Sequence, residues 1–295
     1  MTGNFDATSF NDFINTLVLM SKISRLKKIN LSRNFLDVEG FASLGNLLSN
    51  GPSTISELYL DNCGANASCI QGLMAGLKSN KNLLVLDLRE NDIGVEGARY
   101  IAEAMQSGPK LKQLILSSCN IEAEGASAII SSLFNNMNIE ILNLSANNIG
   151  DQGATQIGLL LESNKYIKHL VIQENNITDA GMAAISKSLI KNRALVFLGV
   201  QWNFITNEGA EYLGSCMAQN AYLRAVHILG NAIDRQGIKA ILEGSKMLNV
   251  KPVDVDMAGM NCCVVSAPPT PTRDKPVRRS RPTTASQRPG SASKK

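Results

Sequence analysis

The chain repeats itself every 28 residues, and that period excludes most folds before any single residue is weighed. The segments LKKINLSRN (26–34), ISELYLDNC (55–63), LLVLDLREN (83–91), LKQLILSSC (111–119), IEILNLSAN (139–147), IKHLVIQEN (167–175), LVFLGVQWN (195–203) and LRAVHILGN (223–231) align without gaps, their starts separated by 29 and then six times by 28 residues. A truncated ninth unit, VKPVDVDM, follows at 250–257. Such a period means stacked units, none of which can bury its apolar face alone. Alternate residues of a strand point to opposite faces, so Leu142 and Leu144 turn inward while Asn143 and Ser145 turn outward. The ninth position holds Asn34, Asn91, Asn147, Asn175, Asn203 and Asn231. There the chain leaves the strand, and a carboxamide can satisfy backbone groups that the turn strands inside the stack. Cys63 and Cys119 replace it with a small thiol suited to burial, a structural role rather than a redox one.

Six residues beyond the ninth position come Gly40, Gly97, Gly125, Gly153, Gly181, Gly209 and Gly237, then apolar residues at helical spacing, as in Ala154, Ile157, Leu160 and Leu161. The second half of each unit is therefore expected to be a helix, with Asp37, Asn66, Thr178, Thr206 and Asp234 as N-caps. Repeat two departs from the pattern, with Cys69 in the glycine slot.

The motif Lxx(L/V)x(L/I/V)xx(N/C) at this period resembles the leucine-rich repeat, in particular the ribonuclease-inhibitor-like subfamily, over roughly residues 22 to 257. The resemblance implies an α/β fold, a right-handed leucine-rich repeat horseshoe (solenoid) with parallel strands on the concave face and helices on the convex face. Packing distances agree, because strands sit about 4.8 Å apart and helices need about 8 to 10 Å, so the stack must bend. Three segments are expected. Residues 1–22 form an N-terminal capping helix, with Ser9 before Phe10, Phe13, Ile14 and Leu17 at amphipathic spacing. Residues 23–257 form the solenoid, eight repeats plus a terminal strand, and residues 258–295 form a disordered basic Pro/Ser/Arg-rich tail.

Charge separates that tail from the rest. Residues 264 to 295 carry eight Lys or Arg, among them Arg273, Lys275, Arg278, Arg279, Arg281 and Arg288, against the single acid Asp274, whereas the whole chain has a net charge of only +4. Six of the nine prolines lie there and no aromatic residue does, a composition that cannot offset its own ordering entropy. A basic arm seeks an acidic surface: an acidic protein tail such as that of tubulin, or anionic lipid. Nucleic acid ranks lowest, because no aromatic side chains interleave for stacking. Thr270 and Ser280 are candidate phosphosites whose modification would reduce the arm's charge. KPVRRSRP also resembles an import signal weakly, and Cys262 and Cys263 adjoin the arm.

No secretory or membrane segment stands out, and six cysteines without CxxC pairing or metal-ligand spacing suggest neither zinc nor disulfides. A cytoplasmic chain in a reduced compartment, monomeric in isolation, is the expectation.

Outward strand positions, the third, fifth and seventh of the motif with the eighth at the rim, decide function. In the early repeats Lys28 neighbours Glu57 and Asp61 neighbours Arg89, so much of that charge is expected to pair with itself. The later repeats place Ile115, Ile141, Val171 and Phe197 in outward slots with Trp202 at the rim, among His169, Gln173, Gln201 and His227. Gly199 would leave a shallow dent beside Phe197. Apolar residues rimmed by amides suit a protein partner on the concave face better than a solvated groove does. The two histidines, two strands apart at about 10 Å, are too far apart for a simple shared metal site.

Catalysis has no visible seat: there is no P-loop, nucleophile elbow, dinucleotide fingerprint or HExxH, and no cofactor is expected. The reading is a non-enzymatic protein-binding scaffold or adaptor, for which relatives of this repeat type imply a cytoskeletal or ciliary setting. The alternative is a GTPase regulator. The Ran GTPase-activating proteins resemble the chain in period and ladder, but their family uses an Arg in an early strand-to-helix loop, where DNCGANAS (61–68) has none and Arg33 is a loose substitute. Their acidic end is also opposite in sign to this tail. A detached sensor or inhibitor module, needing no tail, is a third reading.

Overall fold

The computed structural model describes residues 26–50, 54–107 and 109–247, the backbone of 254–256, and the two residues Phe13 and Thr16. Strands β1 Lys28–Asn30, β2 Glu57–Tyr59, β3 Val85–Asp87, β4 Gln113–Ile115, β5 Ile141–Asn143, β6 His169–Val171, β7 Phe197–Gly199, β8 Ala225–His227 and β9 Asp254–Asp256 form one parallel sheet in chain order. Between them run α1 Val38–Asn50, α2 Ala67–Leu77, α3 Gly94–Gln106, α4 Glu122–Leu133, α5 Gly150–Ser163, α6 Asp179–Leu189, α7 Asn207–Met217 and α8 Arg235–Met247. The register is that of the repeat, for example His169↔Phe197 and Leu170↔Leu198, so every motif position forms a row across the sheet. The truncated ninth unit supplies β9 beside β8. Of the expected capping helix only Phe13 and Thr16 are described, both helical, with Phe13 partly buried against the core; its other residues and all of the tail, with Arg273, Lys275, Arg278, Arg279, Arg281, Arg288, Thr270 and Ser280, lie outside the described residues. Among the described residues no helix is long and apolar enough to cross a membrane.

Leu58, Leu86, Leu114, Leu142, Leu170 and Leu198, one from the centre of each strand, are buried between sheet and helices, each worth about 2 kcal/mol of apolar burial. All five expected N-caps bond the first turn: Asp37 accepts from the Gly40 N–H at 2.8 Å, Asn66 from Cys69 at 3.1 Å, Thr178 from Ala180 at 3.3 Å, Thr206 from Glu208 at 3.3 Å and Asp234 from Gln236 at 2.7 Å. Helices α3, α4 and α5 are preceded by isoleucines that cannot cap. There the first helical N–H donates instead to the next repeat's ninth-position carbonyl, as Gly94 to Cys119 at 3.1 Å and Gly150 to Asn175 at 2.9 Å.

The ninth-position ladder closes as the chemistry demands. Asn91 Nδ2 donates to the Leu60 and Leu88 carbonyls, each at 2.8 Å, while its Oδ1 accepts from the Cys63 and Ala65 N–H groups at 2.9 and 3.0 Å. The thiols do half of this work: Cys63 Sγ donates to the Leu31 carbonyl and Cys119 Sγ to that of Leu88, both at 3.2 Å.

Two further rows were not anticipated. Asn80, Asn136, Asn164, Asn192 and Asn220 stand at the helix C-terminal ends; Asn192, for example, donates to the Leu161 and Asn164 carbonyls at 2.7 and 3.2 Å and accepts from the Ala194 and Leu195 N–H groups. Asp151, Asp179 and Asn207 stand in the first helical turns, each accepting hydrogen bonds from the start of the next repeat's helix. This second row explains one glycine, since a Cβ on Gly181 would lie 2.5 Å from the Asp151 oxygen that its N–H must reach.

Candidate protein-binding face

The strands are short, so three rows line the concave face and the eighth position forms its rim. Every eighth residue from Arg33 to Trp202 has a left-handed backbone, with φ of 62° at Arg33, 54° at Glu174 and 55° at Trp202. Each N–H there donates across the sheet, as Trp202 to the Leu229 carbonyl at 2.9 Å. For a bulky side chain this conformation costs roughly 1 to 2 kcal/mol. Because all repeats share it, it belongs to the strand exit, and its effect at Trp202 is to aim the indole off the rim.

In the early repeats the charges pair internally. Lys28 Nζ lies 3.8 Å from Glu57 Oε2 and 4.3 Å over the Tyr59 ring. Tyr59 donates to Glu57 at 3.0 Å, and burial, helped by that carboxylate, pushes its phenol up to about 12. The expected pairing of Asp61 with Arg89 is corrected. Arg89 reaches back two residues along its own strand, Nε lying 3.0 and 2.9 Å from the two carboxylate oxygens of the fully buried Asp87. Asp61 faces Arg33 at 4.0 Å instead. A carboxylate with no water contact must be neutralised within bonding distance, and Arg89 is its nearest cation.

The fifth-position row is buried from Asp87 through Gly199, while Asn30, Tyr59 and His227 toward its ends keep some exposure. Ile115 is 0% and Val171 8% exposed, and neither joins the core between sheet and helices, so neighbouring side chains cover them from the concave side. This corrects the expectation that both are displayed: they form the floor of the groove and offer a partner no surface. Buried Asn143, whose Oδ1 accepts from Ser145 Oγ at 2.7 Å, continues the same floor. The dent expected at Gly199 is filled, since Phe197 Cε1, Val171 Cγ1 and Gln201 Oε1 lie 3.3, 3.2 and 3.0 Å from where a Cβ would stand.

What remains accessible lies on β5 to β8 and the rim. Phe197 is half-buried between two imidazoles, stacked on His169 at 5.8 Å and edge-on to His227 at 4.7 Å. The ring thus bridges the histidines that strand spacing had kept apart. Burial, aided by Lys168, holds the His169 imidazole below its ordinary range. Ile141 pairs with His169 in register and is half-buried, as are Gln173 and Gln201. Gln201 Oε1 is buried without a hydrogen-bond partner. At the rim Trp202 is 59% exposed, joined by Phe204 at 62%, a residue that motif reading missed because it lies beyond the ninth position. The indole rests over Gly230 of the next repeat, whose φ of +77° and missing Cβ make the space.

Among the described residues no group of three His, Cys, Asp or Glu side chains is placed to hold a metal. The described cysteines Cys63, Cys69, Cys119 and Cys216 are free and buried.

A family model for the leucine-rich repeat matches residues 79–102, 109–129, 135–158 and 163–186. The chain is similar to two mouse proteins: NACHT, LRR and PYD domains-containing protein 5, 34% identical over 96 residues (32% of this chain), and NACHT, LRR and PYD domains-containing protein 12, 35% identical over 83 residues (28%). The matched segments cover only 8% of either relative. Among solved structures, leiomodin-1 actin-binding site 2 aligns with a TM-score of 0.42 at 20% identity, covering 48% of this chain and 86% of that one. Four matches to the leucine-rich repeat model, a parallel sheet in unit register and the asparagine ladder give this chain a leucine-rich repeat fold.

Proposed function

We propose that the chain is a non-enzymatic scaffold that binds a protein partner along β5 to β8 and the adjoining rim. The carrying observation is Phe197, held between His169 and His227 beside the unpaired Gln201 carboxamide oxygen. A solvated groove has no need of a ring fixed by two imidazoles, whereas a docked segment gains from a rigid aromatic floor. Trp202 and Phe204 extend the surface, and Ile141 and Gln173 border it. On β1 to β3 the charges pair largely among themselves, so recognition along β5 to β8 rests on shape and on a few hydrogen bonds.

The basic tail, in this reading, adds a salt-sensitive contact with an acidic surface, a protein tail such as that of tubulin or anionic lipid, and suits a cytoskeletal or ciliary setting. A photo-crosslinking residue at Gln201 tests the main proposal against one at Leu159 on the helical side. Crosslinks from Gln201 that disappear with Phe197→Ala plus Trp202→Ala support it. Unchanged capture of the same partners by that double variant overturns it.

A further inference from the structure

Opposite the Trp202 rim, the helices end and the chain turns back into the strands, and here the surface changes sign. The helix N-terminal rim carries the exposed acids Asp92, Glu122, Glu174 and Glu208. The other rim, past the ends of α5, α6 and α7, carries Lys165, Lys187, Arg193 and Arg224, all exposed. Lys168 and Lys191 stand there too but are spoken for, by Glu140 at 2.8 Å and Glu162 at 2.5 Å. None of the first four forms an ion pair among the described residues, although Lys187 adds to the field that holds the Glu162 carboxyl low.

Helix dipoles attract cations to these ends, but that accounts only for Lys187, in the last turn of α6. Lys165 and Arg193 follow the helices, and the terminal carbonyls they would otherwise cap are already taken by the asparagine row, as Leu161 and Asn164 are by Asn192. Arg224 donates to the Ala221 and Leu223 carbonyls at 2.6 and 3.3 Å, so Lys165 and Arg193 are the bases surplus to the fold. Exposed apolar side chains stand among them: Tyr166 at 41%, Ile190 at 37% and Tyr222 at 40%, the last with the Arg193 guanidinium 5.5 Å over its ring. Lys165 and Arg193 fill the same slot in consecutive repeats, and Tyr166 and Tyr222 the same slot two repeats apart. Bases and rings thus recur along the rim at the repeat spacing.

We propose that this rim, from Lys165 to Arg224, is a second docking strip for an extended protein segment in which acidic residues alternate with apolar ones. Charge complementarity selects the occupant: an acidic segment is drawn to this rim and repelled by the opposite one. A segment fits better than a lipid surface, because the apolar groups are only two-fifths exposed and Glu140 and Glu162 interrupt the bases, so no apolar plane exists to enter a bilayer. The strip is independent of the Phe197 face.

The test uses the full chain, so that its tail contributes equally to every measurement, and a fluorescent synthetic peptide of alternating glutamate and leucine, read by anisotropy at low and high salt. Lys165→Glu with Arg193→Glu is expected to weaken binding about tenfold at low salt, and Tyr222→Ala to weaken it severalfold at high salt, where charge is screened. Phe197→Ala is expected to leave it unchanged. Peptide-dependent protection of Lys165 and Lys187 from amine acetylation provides a check that needs no variant. The proposal is overturned by equal affinity of the charge-reversed and parent chains, by absence of protection, or by phosphatidylserine vesicles, rather than the peptide, protecting Lys165 and Lys187.

Discussion

The Asp151 carboxylate holds Thr178 twice, one oxygen accepting the Thr178 N–H at 2.8 Å and the other its hydroxyl at 2.6 Å, across the boundary between two repeats. The first oxygen also accepts from the Gly181 N–H at 3.0 Å, so one side chain fixes the start of the next helix. Removing it strips three charge-assisted bonds, and Asp151→Ala is expected to cost roughly 2 to 4 kcal/mol. Asp151→Asn keeps an acceptor for both N–H groups, as Asn207 already does for Asp234 and Gly237, and is expected to cost about 1 kcal/mol. Urea unfolding followed by circular dichroism separates the two.

The ninth-position ladder makes a sharper comparison. Asn175 Nδ2 donates to the Leu144 carbonyl at 2.9 Å, and its Oδ1 accepts from Asn147 and Ile149. Asn175→Ala orphans all three buried groups and is expected to cost roughly 3 to 5 kcal/mol. Asn175→Cys is expected to recover part of that, because a thiol can repeat the donation that Cys63 makes to Leu31. Equal losses in the two variants, in the same urea titration, would refute this division of labour.

Burial pushes the Cys63 thiol from 9.0 up to about 11 and those of Cys119 and Cys216 up to about 12. A thiol with a raised pKa binds its proton more tightly folded than unfolded, so the fold loses stability as pH rises past the unfolded value near 9.0 and until the folded thiol itself ionises. Each thiol contributes a slope of about 1.4 kcal/mol per pH unit in that window. Native protein at pH 8 is expected to leave these three cysteines unlabelled by iodoacetamide, and Cys216→Ala to flatten the alkaline fall in unfolding midpoint.

His169 titrates in the opposite sense to an exposed imidazole gaining a partner. Its folded pKa is depressed, first by burial and then by Lys168, so the neutral ring is the one the fold favours. Stability linked to it is full above 6.5 and declines as pH falls below that value. Proton NMR titration should place its midpoint below 6.5, and Phe197→Ala, which uncovers the stacked face, should move it back upward.

Much of the fold was legible because its signals are local and repeated. Strand alternation, the Asn or Cys turn and the five caps each need only neighbouring residues, and the period carries them across the chain. The two unanticipated rows were equally legible in principle: Asp151, Asp179 and Asn207, or Asn164, Asn192 and Asn220, recur at 28 residues. The candidate face was less so. Alternation tells that Ile115 and Val171 point away from the core, but whether they meet solvent depends on side chains from adjoining strands, which close over them. Asp87 captured Arg89 by a bond along the strand that cross-strand reasoning overlooks. Phe204 was missed because exposure beyond the ninth position follows loop geometry, which the motif does not encode.

Gly230 offers a direct view of the rim through the chain's one tryptophan. With φ at +77°, an alanine there would carry backbone strain of about 1 kcal/mol, and its Cβ would lie 2.5 Å from the Trp202 Cδ2 and Cε3 atoms. The indole must then move, since the strand exit beneath it is held by the Trp202 N–H bond to Leu229. Gly230→Ala is therefore expected to change the tryptophan emission while lowering the unfolding midpoint only slightly. If Trp202 anchors a partner, affinity falls further than that small loss of stability explains; if affinity and emission both stay as in the parent, the indole is not seated on Gly230 and the rim described here does not exist.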